Sequence, residues 1–162
     1  MIDLIRQELG GTFRAVPFPV ALLRVVAALL LAGLVGAERE WRRKPAGLRT
    51  HMLVSLAACL YAIIGRELSA SDLLGAADQL RVDPMNLIGA VTSGVAFLVA
   101  GIIITTGGRV HNITTGASLW LAGAIGLACG VGKIPLAMLT TLVVLLVLVI
   151  LATFVRPENQ DD

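Results

Sequence analysis

The stretch that decides the fold is GLVGAEREWRRKPAGLRTH, residues 33–51. It begins as the end of an apolar run, crosses Glu38, Arg39, Glu40, Arg42, Arg43 and Lys44, and enters a second apolar run. Five of the thirteen Lys and Arg residues fall between residues 39 and 49. A soluble core has no use for such a cluster between two apolar runs. A membrane protein does, because short loops rich in Lys and Arg stay on the cytoplasmic side.

Composition points the same way. The 162-residue chain is 57% hydrophobic and 15% charged, with a mean hydropathy of +0.87. Average soluble domains hold roughly 45–50% apolar and about 25% charged residues. A net charge of +2 gives no reason to expect nucleic acid as a partner. Cys59 and Cys129 both fall in apolar runs, which suits buried thiols better than a disulfide framework. No cleavable leader is expected, since the first long apolar run starts near Phe18 with no small-residue cleavage pattern after it.

Five apolar segments approach the ~20 residues needed to cross a bilayer core: residues 18–37, 48–64, 87–105, 113–131 and 134–154. The runs are continuous rather than alternating, so the expected fold class is all-α, a polytopic membrane protein of about five transmembrane helices. Pro17, Pro19, Pro84 and Pro135 lie just before or at span starts, where a missing N–H costs nothing. Asp83-Pro84 reads as an N-cap followed by Pro at the first helical position. The expected organisation is an interfacial segment over residues 1–17, a transmembrane domain over 18–155 and a short polar cytoplasmic tail over 156–162.

The basic loop sets the expected orientation, with the N-terminus outside the bacterial inner membrane and the C-terminus in the cytoplasm. Residues 65–86 then form an external loop, with Arg66 and Arg81 against Glu67, Asp72, Asp78 and Asp83. Ile2, Ile5 and Leu9, and again Leu73, Ala77 and Leu80, repeat at helical spacing beside charges and suggest interfacial amphipathic helices. A solvated loop explains the second set equally well. Residues 105–109 read as a turn, and the Asn112-Ile113-Thr114 glycosylation pattern is discounted because it falls inside the cell.

Helices in lipid associate through close fit, which small residues permit. Gly89, Ser93, Ala96 and Ala100 share one stripe in the third span; Ser118, Ala122, Gly126 and Gly130 share one in the fourth. These two spans are therefore the expected inner pair, and the fifth, rich in Leu and Val, is expected to face lipid. A substrate path along the same glycines is the minority alternative.

Chemistry is expected where the first two spans meet. Insertion scales put a charge at a helix centre at about 2.5–3.5 kcal/mol, and much less near a span end. Glu38, Arg39 and Glu40 close the first span; Arg49, Thr50 and His51 open the second. In one reading they are a topology signal, with Glu38 paired to Arg42 one turn on. In the other, Glu38 and Glu40 approach Arg49 and His51 as the helices fold back, forming a polar site on the cytoplasmic side. His51, Ser55 and Cys59 share one helical face. A metal site has weaker support, since hard divalent ions want several oxygen ligands and the inner surface offers chiefly two carboxylates among many cations. No cofactor is expected, with Mg²⁺ as the weak exception. No nucleophile–base pair, phosphate-cradling loop or zinc spacing is present, so no enzyme is expected.

Several pieces of the chain resemble the MgtC/SapB family of membrane proteins. They are GLVGAERE (33–40), PAGLRTH (45–51), Asp83-Pro84, Ser93-Gly94, Phe97-Leu98, Ala100-Gly101, Ile113-Thr114-Thr115 and Leu119-Trp120. The resemblance implies a five-helix inner-membrane domain with an external N-terminus. It also implies a link to growth under magnesium limitation and, in pathogens, to survival inside host cells. Regulation of other membrane proteins, including the F-type ATP synthase, is implied more than magnesium transport. By resemblance the functional cluster is Glu38, Arg39, Glu40, Arg49, Thr50 and His51, with Asp83, Ser93, Gly101, Thr114 and Thr115 as secondary positions. Family members often continue into a soluble C-terminal domain, which is not expected here. Val99, Thr105, Asn112 and Gly116 depart from the family pattern. The expected function is modulation of a membrane partner, with a divalent cation transporter or channel as the alternative; a homo-oligomer fits the small-residue faces, and the lipid bilayer is a further partner through Arg42, Arg43 and Lys44.

Overall fold

A computed structural model describes Met1 and residues 13–70, 83–106 and 109–154. Five helices and one short hairpin follow in order: α1 (Phe18–Trp41), α2 (Leu48–Ser69), α3 (Pro84–Ile102), β1 (Ile104–Thr106), β2 (Arg109–His111), α4 (Ile113–Gly130) and α5 (Ile134–Phe154). The first four helices are each long and apolar enough to cross a membrane, and residues 134–150 of α5 form a further apolar helix of 17 residues. The chain is a multi-pass membrane protein. The expected interfacial helices at residues 2–9 and 73–80, and the tail at 156–162, lie outside the described residues.

Local signals account for the helix ends. Asp83 accepts a hydrogen bond from the Met85 N–H at 2.9 Å with Pro84 behind it, as its sequence suggested. α1 ends in a pair of backbone bonds, Arg43 N–H to Glu40 O and Lys44 N–H to Arg39 O, which is a Schellman closure. Arg43 takes the left-handed position there, with φ +53°. α4 ends the same way, Gly132 N–H bonding Cys129 O and Lys133 N–H bonding Ala128 O, and here glycine holds the left-handed position at φ +85°.

α1 extends past the expected boundary to Trp41 and α2 to Ser69. Glu38–Glu40 and Arg66–Glu67 thus belong to helices rather than loops. The third span stops at Ile102, and residues expected to end it form the hairpin, with Thr105 opposite Val110. Asn112 (φ +65°) turns the chain into α4 and donates to the Ile102 carbonyl at 3.2 Å.

The expected inner pair is half right. α4 is the central helix. Its stripe lies against α2, so closely that a Cβ on Gly126 would overlap the Ser55 carbonyl, and one on Gly130 would meet Cys59 O and Ala62 Cβ. The stripe on α3 is not inside. Gly89, Ser93 and Ala100 are exposed, and α3 rests on α4 through Val91, Val95 and Val99 instead. The third inner member is α1, which meets α2 at Gly36, where a Cβ would sit 2.8 Å from Leu48 Cα. Hydrogen bonds reinforce the α1–α2 contact, Ser55 Oγ donating to Ala28 O at 3.1 Å. α5 buries Ala137, Thr141, Val144 and Leu148 and exposes most of its Leu and Val side chains, in line with a lipid-facing helix.

Two glycines separate these cases. Gly126→Ala is expected to destabilise the bundle by at least about 1–3 kcal/mol, the usual range for overpacking. Gly101→Ala, with nothing among the described residues within 4 Å of the new methyl, is expected to be neutral or to gain up to about 1 kcal/mol of helix propensity. Thermal unfolding in neutral detergent measures both, and equal losses would mean that close approach is not what holds α2 on α4.

Candidate functional site

The site forms where α1 turns into α2. Because the Schellman closure ends α1 abruptly, only residues 42–47 separate the two helices, and α2 starts directly above Gly36. Glu38 and Arg39 are buried, with side chains 7% and 3% exposed. The Glu38 carboxylate is held on both oxygens: Arg39 bonds Oε2, and Arg42, one turn on, bonds Oε1.

Glu40 does a different job. α2 has glycine at its N-cap and no side-chain cap of its own. Glu40 reaches across from α1, and its Oε2 accepts the Leu48 N–H at 2.8 Å. A carboxylate here satisfies an unbonded donor and faces the positive end of the helix dipole. Gly47 keeps this route open, since a Cβ there would stand 2.7 Å from Glu40 Oε2.

His51 is fully buried. Its Nδ1 lies 2.8 Å from Gly47 O and its Nε2 lies 3.0 Å from Ser118 Oγ on α4. A carbonyl only accepts, so Nδ1 carries a proton. The Ser118 hydroxyl also lies 2.8 Å from Thr115 O. Turned toward Nε2 instead, the same hydroxyl donates to a neutral ring. The His51–Ser118 contact couples α2 to α4.

The remaining singled-out residues are scattered. Arg49 is exposed, with no ion pair among the described residues, and Thr50 is half-buried. Glu38 and Glu40 thus gather around Arg39, Arg42 and the α2 N-terminus, not around Arg49. Thr115 is buried beside Ser118. Thr114 is exposed and lines an apolar groove between α4 and α5. Ser93 and Gly101 are exposed on α3, and Asp83 caps it. Every buried polar side-chain atom among the described residues has a partner, and no group of three His, Cys, Asp or Glu among them is arranged to hold a metal ion.

Three participants escaped the reading of the sequence. Ser118 stood there only as a small residue. Glu67, at the far end of α2, accepts the backbone N–H groups of Arg14, Ala15 and Val16 at 2.8–3.1 Å, tying the approach to α1 onto α2. Arg24, inside α1, donates to Gly130 O at 2.8 Å, covering the carbonyl end of α4. An arginine within an apolar span was a legible signal; the other two needed the fold.

Removing one member of the buried pair leaves the other charge unanswered. Glu38→Ala is expected to cost about 3–5 kcal/mol, with Glu38→Ala/Arg39→Ala recovering most of that loss. A double variant no more stable than the single, by thermal unfolding in detergent, would mean that the pair is not the coupled unit.

Most of the chain has known relatives. The MgtC family model matches residues 25–156. "Protein MgtC" of Salmonella typhimurium strain LT2 is 34% identical over 147 residues, covering 91% of this chain and 58% of that protein. "Putative magnesium transporter YhiD" of Escherichia coli K12 is 34% identical over 127 residues, covering 78% of this chain. "Uncharacterized protein slr0014" of Synechocystis is 34% identical over 145 residues, covering 88%. The chain spans 58% of the length of each of these relatives, and no solved structure matches it. The family match runs from within α1 to just past the end of α5, and the chain belongs to the MgtC family.

Proposed function

We propose that this chain is a non-catalytic modulator of another membrane protein, acting in the bacterial plasma membrane when magnesium is scarce. The basic α1–α2 turn and the hairpin face the cytoplasm in this reading, with the N-terminus outside and the C-terminus inside. The tie to magnesium rests on the names of the relatives, one of which is called a magnesium transporter.

One observation carries the choice of modulation over conduction. The glycines of α4 are filled by neighbours, whereas Gly94 and Gly101, two turns apart on one face of α3, have nothing among the described residues within 4 Å of a Cβ position. Glycine costs a helix about 1 kcal/mol relative to alanine, and a lipid-facing surface gains nothing from it; α5 faces lipid with Leu and Val. Beside this face runs an apolar groove of about 860 Å³ between α2 and α3. A small-residue face next to a groove suits a transmembrane helix of a partner. Conduction finds less support: Glu38, the buried carboxylate, is closed off by Arg39 and Arg42, whereas cation paths use carboxylates or carbonyls open to the pore.

Two measurements test the reading. In a strain lacking its own family member, Gly94→Leu and Gly101→Leu are expected to abolish rescue of growth at low magnesium while leaving insertion and melting unchanged. Arg49→Ala tests the cytoplasmic turn in the same assay. Proteoliposomes holding this protein alone are expected to take up no magnesium. Glu38-dependent uptake in them would replace modulation with transport.

A further inference from the structure

We propose that the α1–α2 turn binds the headgroup of an anionic phospholipid, with Arg43, Lys44 and Arg49 contacting the phosphate and Trp41 anchoring the turn in the interface. The inference stands on the membrane assignment and not on the partner reading, since it concerns purified protein and lipid alone.

Charge is the first support. Residues 38–51 hold five cations and two carboxylates. Both carboxylates are engaged within the protein, Glu38 by Arg39 and Arg42 and Glu40 by the Leu48 N–H. Arg43, Lys44 and Arg49 are all exposed, and none has a carboxylate partner among the described residues.

Backbone conformation is the second support. Arg43 occupies the left-handed position of the Schellman closure at φ +53°, where the equivalent closure of α4 has Gly132. A side chain there is strained, and strain of this kind is characteristic of functional positions. The Arg43 side chain makes no hydrogen bond or ion pair among the described residues, so no contact among them accounts for it. A headgroup phosphate would.

The third support separates a lipid from a free anion. Trp41 is 85% exposed and Leu48 is exposed beside the same cations. An indole flanked by basic side chains is the pattern of the membrane–water interface. Inorganic phosphate has no use for that apolar surface; a phospholipid meets it with its glycerol and upper acyl chain.

Trp41 serves as its own reporter. The chain has two tryptophans, so Trp120→Phe leaves Trp41 as the single emitter. The full chain carrying this change is reconstituted into phosphatidylcholine vesicles containing brominated phosphatidylglycerol or, separately, brominated phosphatidylcholine at equal mole fraction. Each basic residue near an anionic surface is worth about a fivefold gain in affinity. Trp41 is therefore expected to be quenched at a tenfold or greater lower fraction of the anionic lipid, with the preference shrinking as salt rises. Arg43→Gln/Lys44→Gln/Arg49→Gln is expected to abolish the preference.

Arg43→Gly makes the sharper variant, because its two effects have opposite sign. It is expected to raise the melting temperature in neutral detergent by relieving the left-handed strain, and to reduce the lipid preference several-fold. Equal quenching by the two lipids overturns the proposal, as does a preference that survives the triple substitution or Arg43→Gly. Loss of the preference on adding millimolar inorganic phosphate at constant ionic strength would reassign the turn to a soluble anion and also overturn it.

Discussion

The contact between α2 and α4 at Gly126 and Gly130 governs the rest of the molecule. Lipid offers no hydrophobic reward for bringing helices together, so association depends on how closely their atoms can fit. Here the fit is backbone against backbone, with the Ser55 and Cys59 carbonyls seated over glycines. That approach leaves no room for water beside His51, Ser55 and Cys59, and each of these is buried. Polar groups in such a place need partners from other helices: His51 meets Ser118, and Ser55 meets the Ala28 carbonyl. The packing therefore creates the polar network rather than accommodating one already present.

Charge is handled by the same logic at both ends of the bundle. At the turn, Glu38 is shared by two arginines and Glu40 replaces the missing cap of α2. At the opposite end, Arg24 covers the last carbonyls of α4, and Glu67 gathers three backbone N–H groups ahead of α1. Each of these four side chains answers a group on another element or in another turn. The three exposed cations of the turn are the contrast, because no carboxylate among the described residues pairs with them. α3 is the equivalent contrast in packing: its valines hold it to α4, and its glycines meet nothing among the described residues.

Reading the chain recovered most of the architecture, for reasons particular to each element. The spans were legible because each is a continuous apolar run bounded by charge or proline. The Asp83 cap was legible because capping is completed within three residues. The Glu38–Arg42 pair followed from one-turn spacing, whereas Arg39, adjacent in sequence, gave no such hint and still bonds Glu38. The β-hairpin was hidden, since Thr105, Thr106 and the glycines after them read equally well as a simple turn.

Which helix lies inside could not be decided locally. The stripes on α3 and α4 are alike as strings of small residues, and only their neighbours make one a packed seam and the other an open face. The His51–Ser118 bond joins positions 67 residues apart, and the capping of α2 by Glu40 depends on how sharply α1 stops. Number of crossings, helix ends and the basic turn are properties of consecutive residues, so composition and spacing are sufficient for them. The closed charge pairs, the central helix and the residues left without partners depend on the distance between segments, and that distance is set by the glycine contacts that only folding brings about.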